Sequence, residues 1–346
     1  MRVATIDAPP GGRPRIGISA CLLGEPVRFD AGHKRDAFLV ESFGPHVEWV
    51  PVCPEVEAGY GVPRQTMRLE WRPLGTERTP PARARGERID PQRVALVFPR
   101  TGDDVTAPMR EYAEGRAAEL AREHLSGYVL KKDSPSCGME RVKVYSGAGG
   151  VERSGRGVFA EALMTRLPSL PVEEEGRLAD PRLRDNFVER VFAYQRLRAL
   201  FDRRWTQGDL VLFHTAHKLT LMAHSPRAYR ALGQLVAGAG RAVKRSRSTV
   251  EAEYEGGFMR ALGEIATPGR HANVLQHMLG YFKATLDLDA RTELLGIIEA
   301  YRQKRVPLVV PMTLMKHHVR RQKVAYLEGQ VYLDPHPRGL SLRNHV

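Results

Sequence analysis

Hydrophobic positions follow two different patterns along this chain, and the change falls near residue 166. On the near side, short β-rich runs occur at 15–20 (Arg-Ile-Gly-Ile-Ser-Ala), 47–52 (Val-Glu-Trp-Val-Pro-Val), 93–98 and 127–131 (Gly-Tyr-Val-Leu-Lys). Between the last two, Met109, Tyr112, Ala113, Arg116, Ala117 and Leu120 recur at helical spacing, predicting a helix within 105–125. The Arg- and Pro-rich stretch 72–91 reads as a surface loop. Strands alternating with helices predict an α/β domain with a mainly parallel, Rossmann-like sheet and a ligand site at the carboxyl ends of its strands.

On the far side strand signals nearly vanish. Residues 167–185 break into Leu-Pro-Ser-Leu-Pro-Val-Glu-Glu-Glu-Gly and then Ala-Asp-Pro-Arg, which reads as an acidic linker running to a helix N-cap near Asp185. Segments 186–204, 210–224, 226–239, 247–266, 270–285, 288–304 and 311–328 each fit an amphipathic helix punctuated by Gly or Pro. The expected organisation is an α/β domain over 1–165, a linker over 166–185 and an all-α domain over 186–346.

The length of 346 residues suits two domains, and a chain 42% hydrophobic and 27% charged is too apolar to be disordered. No run approaches the ~18 apolar residues of a membrane helix. The first residues lack the apolar stretch of a secretory signal, so a cytoplasmic protein is expected. In that reducing compartment three cysteines, an odd count, do not make a disulfide framework.

Each cysteine sits on a turn rich in Gly, Pro or Ser: Ser19-Ala20-Cys21-Leu22-Leu23-Gly24, Val52-Cys53-Pro54-Glu55, and Lys132-Asp133-Ser134-Pro135-Ser136-Cys137-Gly138. Cys21 and Cys53 lie just past predicted strands, so all three are expected at the ligand-binding edge of the sheet. Three thiolates leave one iron of a four-iron cluster without a protein ligand, as substrate binding to iron requires. The close Cys pairs of zinc sites are absent. Spacing alone still leaves buried free thiols, a metal or cluster site, and a nucleophilic cysteine open.

The local sequences narrow that choice. Ser-Ala-Cys-Leu-Leu-Gly with Val27-Arg28-Phe29-Asp30, Cys-Pro-Glu with Gly61-Val62-Pro63-Arg64, and Lys-Asp-Ser-Pro-Ser-Cys-Gly together resemble the TudS-like thiouracil desulfidase family over about residues 13–165. The resemblance implies a 4Fe-4S cluster on Cys21, Cys53 and Cys137, with one iron not bound by protein, and non-redox hydrolytic removal of a thiocarbonyl sulfur. It also implies Glu55 as the acid/base carboxylate and Ser134 as a hydroxyl near the bound base. The bland readings are that Glu55 caps a helix or meets Arg64, that Ser134 is a turn residue, and that Arg28 and Asp30 are a structural pair. Position 29 is Phe where Tyr is expected.

In the second half, Gly208–Lys218 and Arg270–Phe282 resemble the helical domain of YbgA-like proteins, over about residues 186–335. Histidines 214, 217, 271 and 277 invite a metal reading, but without paired carboxylates they fit satisfied or surface histidines better. Charge says more. The net +13 divides into about +2 for residues 1–165 and +11 for 166–346, so the helical half is the expected polyanion surface, or else a solvated basic face. Candidate RNA contacts are Lys244, Arg245 and Arg247 in one cluster and Lys316, Arg320 and Arg321 in another, with Tyr229, Tyr254 and Tyr281 available to stack on bases.

The two-domain arrangement resembles RNA-acting desulfidases, which implies conversion of 4-thiouridine in tRNA to uridine with release of hydrosulfide. The alternatives are desulfuration of a free thiobase such as 2-thiouracil, and a nucleic-acid-binding iron–sulfur sensor without catalysis. No membrane association and no protein partner are expected.

Overall fold

The computed structural model describes residues 12–73, 87–146, 149–239, 246–340 and 342–345. Residues Arg13–Ala179 form one compact unit, and the chain from Asp180 onward belongs to a second.

The first unit is built on a parallel sheet in the order β2-β1-β5-β8, comprising β1 (Arg15–Ser19), β2 (Glu48–Val52), β5 (Gly127–Leu130) and β8 (Val172–Glu174). β1 lies at its centre, and Ile16 and Ile18 are fully buried. Gly17 is required there, because a Cβ would sit 2.2 Å from ring carbons of Tyr128 on β5. Register pairs Ser19 with Val52 and Ile18 with Val129, so β1, β2 and β5 end together at one edge. The parallel α/β architecture and the expected strands at 15–20, 47–52 and 127–131 are all present.

A second sheet was not foreseen. It runs β4-β3-β6-β7, from β3 (Arg68–Trp71), β4 (Val94–Val97), β6 (Val142–Tyr145) and β7 (Val151–Gly155), antiparallel except for the β3/β6 pair. The run at 93–98 is thus a strand, but of this sheet. Leu69, Leu96, Val142 and Val144 form its core with Met109 of α1 (Thr106–Leu120). Most of the Arg/Pro stretch 72–91 lies outside the described residues.

The expected linker is corrected at both ends. Val172–Glu174 are β8, an edge strand paired to β5, with Leu170, Val172, Glu173 and Glu174 buried. Prolines at 168 and 171 hid a strand that an edge position tolerates. Between these two strands of the parallel sheet, α2 (Val158–Arg166) packs on α1. The helix expected to begin near Asp185 begins at Pro181 with Asp180 as N-cap, whose carboxylate accepts from the Arg182 and Leu183 amides. Asp-Pro is a natural Ncap–N1 pair.

The second unit is helical: α3 (Pro181–Phe201), α4 (Gln207–Ala216), α5 (Lys218–His224), α6 (Pro226–Gly238), α7 (Arg247–Gly263), α8 (Pro268–Leu279), α9 (Leu288–Arg302), α10 (Val309–Gln322) and α11 (Ala325–Glu328). Two expected helices are each broken in two, 210–224 at His217 and 311–328 at Lys323, which takes a left-handed conformation (φ 51°). Leu219, Leu275, Met278, Leu294, Ile298, Met312, Met315 and Tyr332 belong to one core cluster, and Phe187, Phe192, Leu210, Tyr254, Phe258 and Leu262 are buried as well. No helix among the described residues is long and apolar enough to cross a membrane.

Candidate active site

The chain leaves β1 into a tight turn, Ala20–Leu23, which ends at Gly24 (φ 101°) and carries Cys21. Lys34, further along the same loop, donates its amide to the Cys21 carbonyl at 2.8 Å. Cys53 follows β2 directly, with its amide on Glu57 Oε1 at 3.0 Å and its Sγ 3.7 Å from the Val27 carbonyl. Cys137 comes from the loop after β5. There Ser134 Oγ accepts from the amides of Ser136 (3.3 Å) and Cys137 (3.1 Å), and Gly138 leaves no room for a Cβ, which would lie 2.3 Å from a Val142 methyl. All three cysteines line one cavity of about 350 Å³.

Burial raises all three thiols. Cys21 is pushed up to about 11 by burial, with Lys131 opposing. Cys53 is also raised, again chiefly by burial. Cys137 is raised well above the ordinary thiol value; burial outweighs a bond from the Ser19 hydroxyl, and the nearby Glu55, Cys21 and Cys53 push the same way as burial. Cys53 opposes ionisation of Cys21, and both oppose ionisation of Cys137. Among the described residues no three His, Cys, Asp or Glu side chains close around a single metal ion. A multi-iron cluster takes each thiolate on a different iron, so three soft donors spread around one cavity fit a cluster better than one ion.

Glu55 lines the same cavity. Its Oε2 accepts from Arg64 Nε at 2.8 Å and from Nη2, and its Oε1 accepts from the Ser136 hydroxyl. Arg64, almost wholly buried, also donates to the carbonyls of Val27 and Gly61, both at 2.9 Å. The contact with Arg64 foreseen for Glu55 is thus present, and it holds the carboxylate at the cavity wall. Ser134 likewise has the turn role foreseen for it while still lining the cavity. Arg28 pairs with Asp30 at 3.5 Å, and the Gly32 amide is the main reason the Asp30 carboxyl lies below its ordinary value.

Three supports were not read from the sequence. Ser136, fully buried, is the second donor to Glu55. Ser19 accepts the Lys131 amide at 3.0 Å beside Cys137. The acidic run taken for a linker braces the site: Glu174 Oε1 accepts the Met139 amide at 2.7 Å, and Glu175 binds the Lys131 ammonium and, at 2.8 Å, the Lys132 amide. Ser19 and Ser136, inside the first and third cysteine motifs, could have been found from local sequence; Glu174 and Glu175 could not.

In the helical unit the four histidines are internally satisfied or paired with rings. His214 meets the Tyr254 hydroxyl at 3.1 Å, His217 the Phe213 carbonyl at 2.8 Å, His271 the Tyr332 hydroxyl at 2.8 Å, and His277 packs edge-on against Tyr281. Of the candidate RNA contacts, Lys244 and Arg245 lie outside the described residues. Arg247 bonds the Trp205 carbonyl and lies over its ring, and Lys316 pairs with Asp334 at 2.7 Å. Arg320 and Arg321 are exposed in the last turn of α10. Tyr254 is fully buried and cannot stack on a base; Tyr229 stacks on His214, and Tyr281 stays partly exposed against Tyr326.

A profile of the 2-thiouracil desulfurase family matches residues 16–175, and one of a family described as protein of unknown function DUF1722 matches 218–337. The uncharacterized protein YbgA of Escherichia coli (strain K12) is 33% identical over 163 residues, 47% of this chain and 95% of YbgA. This chain belongs to the YbgA family. It joins that helical module to a 2-thiouracil desulfurase-family domain at residues 16–175, and the cysteine cavity lies wholly within that domain. Among solved structures, the 4Fe-4S-dependent thiouracil desulfidase TudS is 27% identical, matching 49% of this YbgA-family chain and 95% of TudS, with a TM-score of 0.35.

Proposed function

We propose that this protein is a cytoplasmic desulfidase that replaces the sulfur of 4-thiouridine in tRNA by oxygen, using a 4Fe-4S cluster held by Cys21, Cys53 and Cys137 with one iron not bound by protein. The observation that carries the reading is that three thiols, a clamped carboxylate and a hydroxyl line one cavity. When bound, the cluster would supply a thiophilic Lewis acid for the thiocarbonyl sulfur.

The chain's own residues do the rest. Arg64 and Ser136 hold both oxygens of Glu55, so the carboxylate keeps one position at the cavity wall. From there it takes a proton from the water that adds to the C4 carbon, and returns it as the C–S bond breaks. Ser134 Oγ already accepts two amides, which leaves its proton free to point to the base. Overall, thiocarbonyl and water become carbonyl and hydrosulfide, with no oxidant or reductant consumed. The basic helical unit grips tRNA through phosphates, with Arg320, Arg321, Lys244 and Arg245 as its contacts.

The test is anaerobic iron–sulfur reconstitution of the whole chain, followed by nucleoside analysis of treated tRNA. Loss of 4-thiouridine with matching uridine and hydrosulfide is expected. A brown protein that acts only on free 2-thiouracil would replace tRNA by a free thiobase; a brown protein inert on both would be a sensor. Neutralising Arg320 and Arg321 together with Lys244 and Arg245 should weaken tRNA binding, flatten its salt dependence, and leave turnover of free thiouracil unchanged.

A further inference from the structure

The helical unit contains a polar cavity of its own, about 170 Å³, lined from α3, α5, α8, α9 and the C-terminal segment. Its deepest acid is Glu189 on α3, 6% exposed. Oε2 of Glu189 is met by Arg343 Nη2 at 3.3 Å and faces His224 Nε2 at 3.6 Å. Oε1 is buried and has no hydrogen-bond partner. Burial by itself would raise this carboxyl, but Arg343 and His224 overcome it and hold the group well below the usual carboxylate range, so Oε1 is a charged acceptor. Asp185, the other acid here, is taken up by the Arg343 amide (2.8 Å) and His345 (3.3 Å).

Because Arg343 already balances the charge of Glu189, what Oε1 lacks is a neutral N–H or O–H donor rather than a cation. Among the described residues no three ligating side chains form a metal site, which removes the metal alternative here. A cavity of roughly 150 Å³ admits one six-membered ring. Apolar wall positions such as Ala266 suit a ring face, and exposed Arg182 and Lys304 line the same cavity. Two cations beside a buried acceptor describe a ligand with an anionic group on one side and a donor-bearing ring on the other.

We infer that this cavity is a binding site for a small phosphate ester of a ring bearing N–H or O–H donors, with the ring donor on Glu189 Oε1 and the phosphate on Arg182 and Lys304. A nucleotide and a sugar phosphate share that chemistry. The site is independent of the cysteine cavity and of whether tRNA is the substrate.

Calorimetric titration of the whole chain with uridine 5′-monophosphate, ribose 5-phosphate, uridine and inorganic phosphate tests it. One phosphorylated ring should bind with one-to-one stoichiometry and raise the thermal midpoint. Uridine 5′-monophosphate binding alone assigns the base ring to Glu189, and equal binding of ribose 5-phosphate assigns the sugar. Arg182→Ala with Lys304→Ala, both exposed, should weaken binding about ten- to hundredfold, as expected for lost charged contacts. Ala266→Leu, which fills the wall without touching the ion pairs, should abolish binding while the far-UV dichroism stays unchanged. The inference is overturned if neither phosphorylated ring binds at millimolar concentration. It is equally overturned if uridine or phosphate alone binds as tightly, or if both variants bind like the unaltered chain.

Discussion

Mild acid should unfold the helical unit, and the reason is its imidazoles. Burial pushes His217 and His271 down to about 3, and His214 and His336 down to about 4. Each folded value lies below the ordinary 6.5, so folding favours the neutral ring. The stability that follows is complete above about pH 6.5 and is lost as pH falls toward the folded values. At pH 5 the folded rings are still neutral while the unfolded ones are protonated. Each histidine then costs about 1.5 pH units at 1.36 kcal/mol per unit, roughly 2 kcal/mol. Four together amount to roughly 8 kcal/mol, against a domain stability of about 5–15 kcal/mol. Urea unfolding of the whole chain followed by far-UV circular dichroism at pH 7 and pH 5 measures this directly. The helical transition should move to much lower urea at pH 5 or occur without urea. Coincident midpoints at the two pH values would show that these rings titrate freely and are not the buried neutral members of a core.

Glu55→Gln should keep the cluster absorbance and lower turnover about 10²–10⁴-fold; near-normal turnover would make Glu55 only a partner for Arg64. Ser136→Ala removes one buried bond to a charged group, worth about 1.5–3 kcal/mol, so kcat should fall roughly 10–100-fold with KM for free thiouracil unchanged. Equal rates for Ser136→Ala and the unaltered protein would refute the clamp. Glu175→Gln frees the Lys131 ammonium beside Cys21, and should speed cluster loss in air, read as the decay of visible absorbance; an unchanged decay would make the Glu175–Lys131 pair incidental.

The parts of this architecture legible in the sequence are those whose chemistry is local. β1 and β5 are apolar runs buried on both faces, so they announce themselves, as do the cysteine turns beyond the sheet; β2, at the edge, buries only Val50 and Val52 and shows through its valines. β3 does not, because Arg68 and Glu70 alternate with Leu69 and Trp71 over only four residues and the charged pair bond each other at 2.7 Å. β8 was hidden more thoroughly, since the buried Glu173 and Glu174 look like surface until their partners, Arg177 and the Met139 amide, are folded against them. The same holds for Tyr254, whose place in the core no spacing rule distinguishes from an exposed stacking face. Cys21, Cys53, Cys137, Glu55 and Ser134 could be named from motifs, and Ser136 lies inside one of them, but its bond to Glu55 and the bond of Arg64 to Val27 could not be read, because they join positions 81 and 37 residues apart in sequence.

Arg64 ties the loop after β1, the turn at Gly61 and the carboxylate after Cys53 with one guanidinium. Loops so fastened have lost their freedom when the chain folds, not when a cofactor arrives. Small zinc domains are the opposite case, in which metal capture and folding are one event. Here the two would be separable, so a cluster lost from the cavity would leave the scaffold standing and could be reinstalled. A receptacle of this kind is serviceable: its lifetime in the cell is set by the scaffold, and the fragile part is a replaceable one.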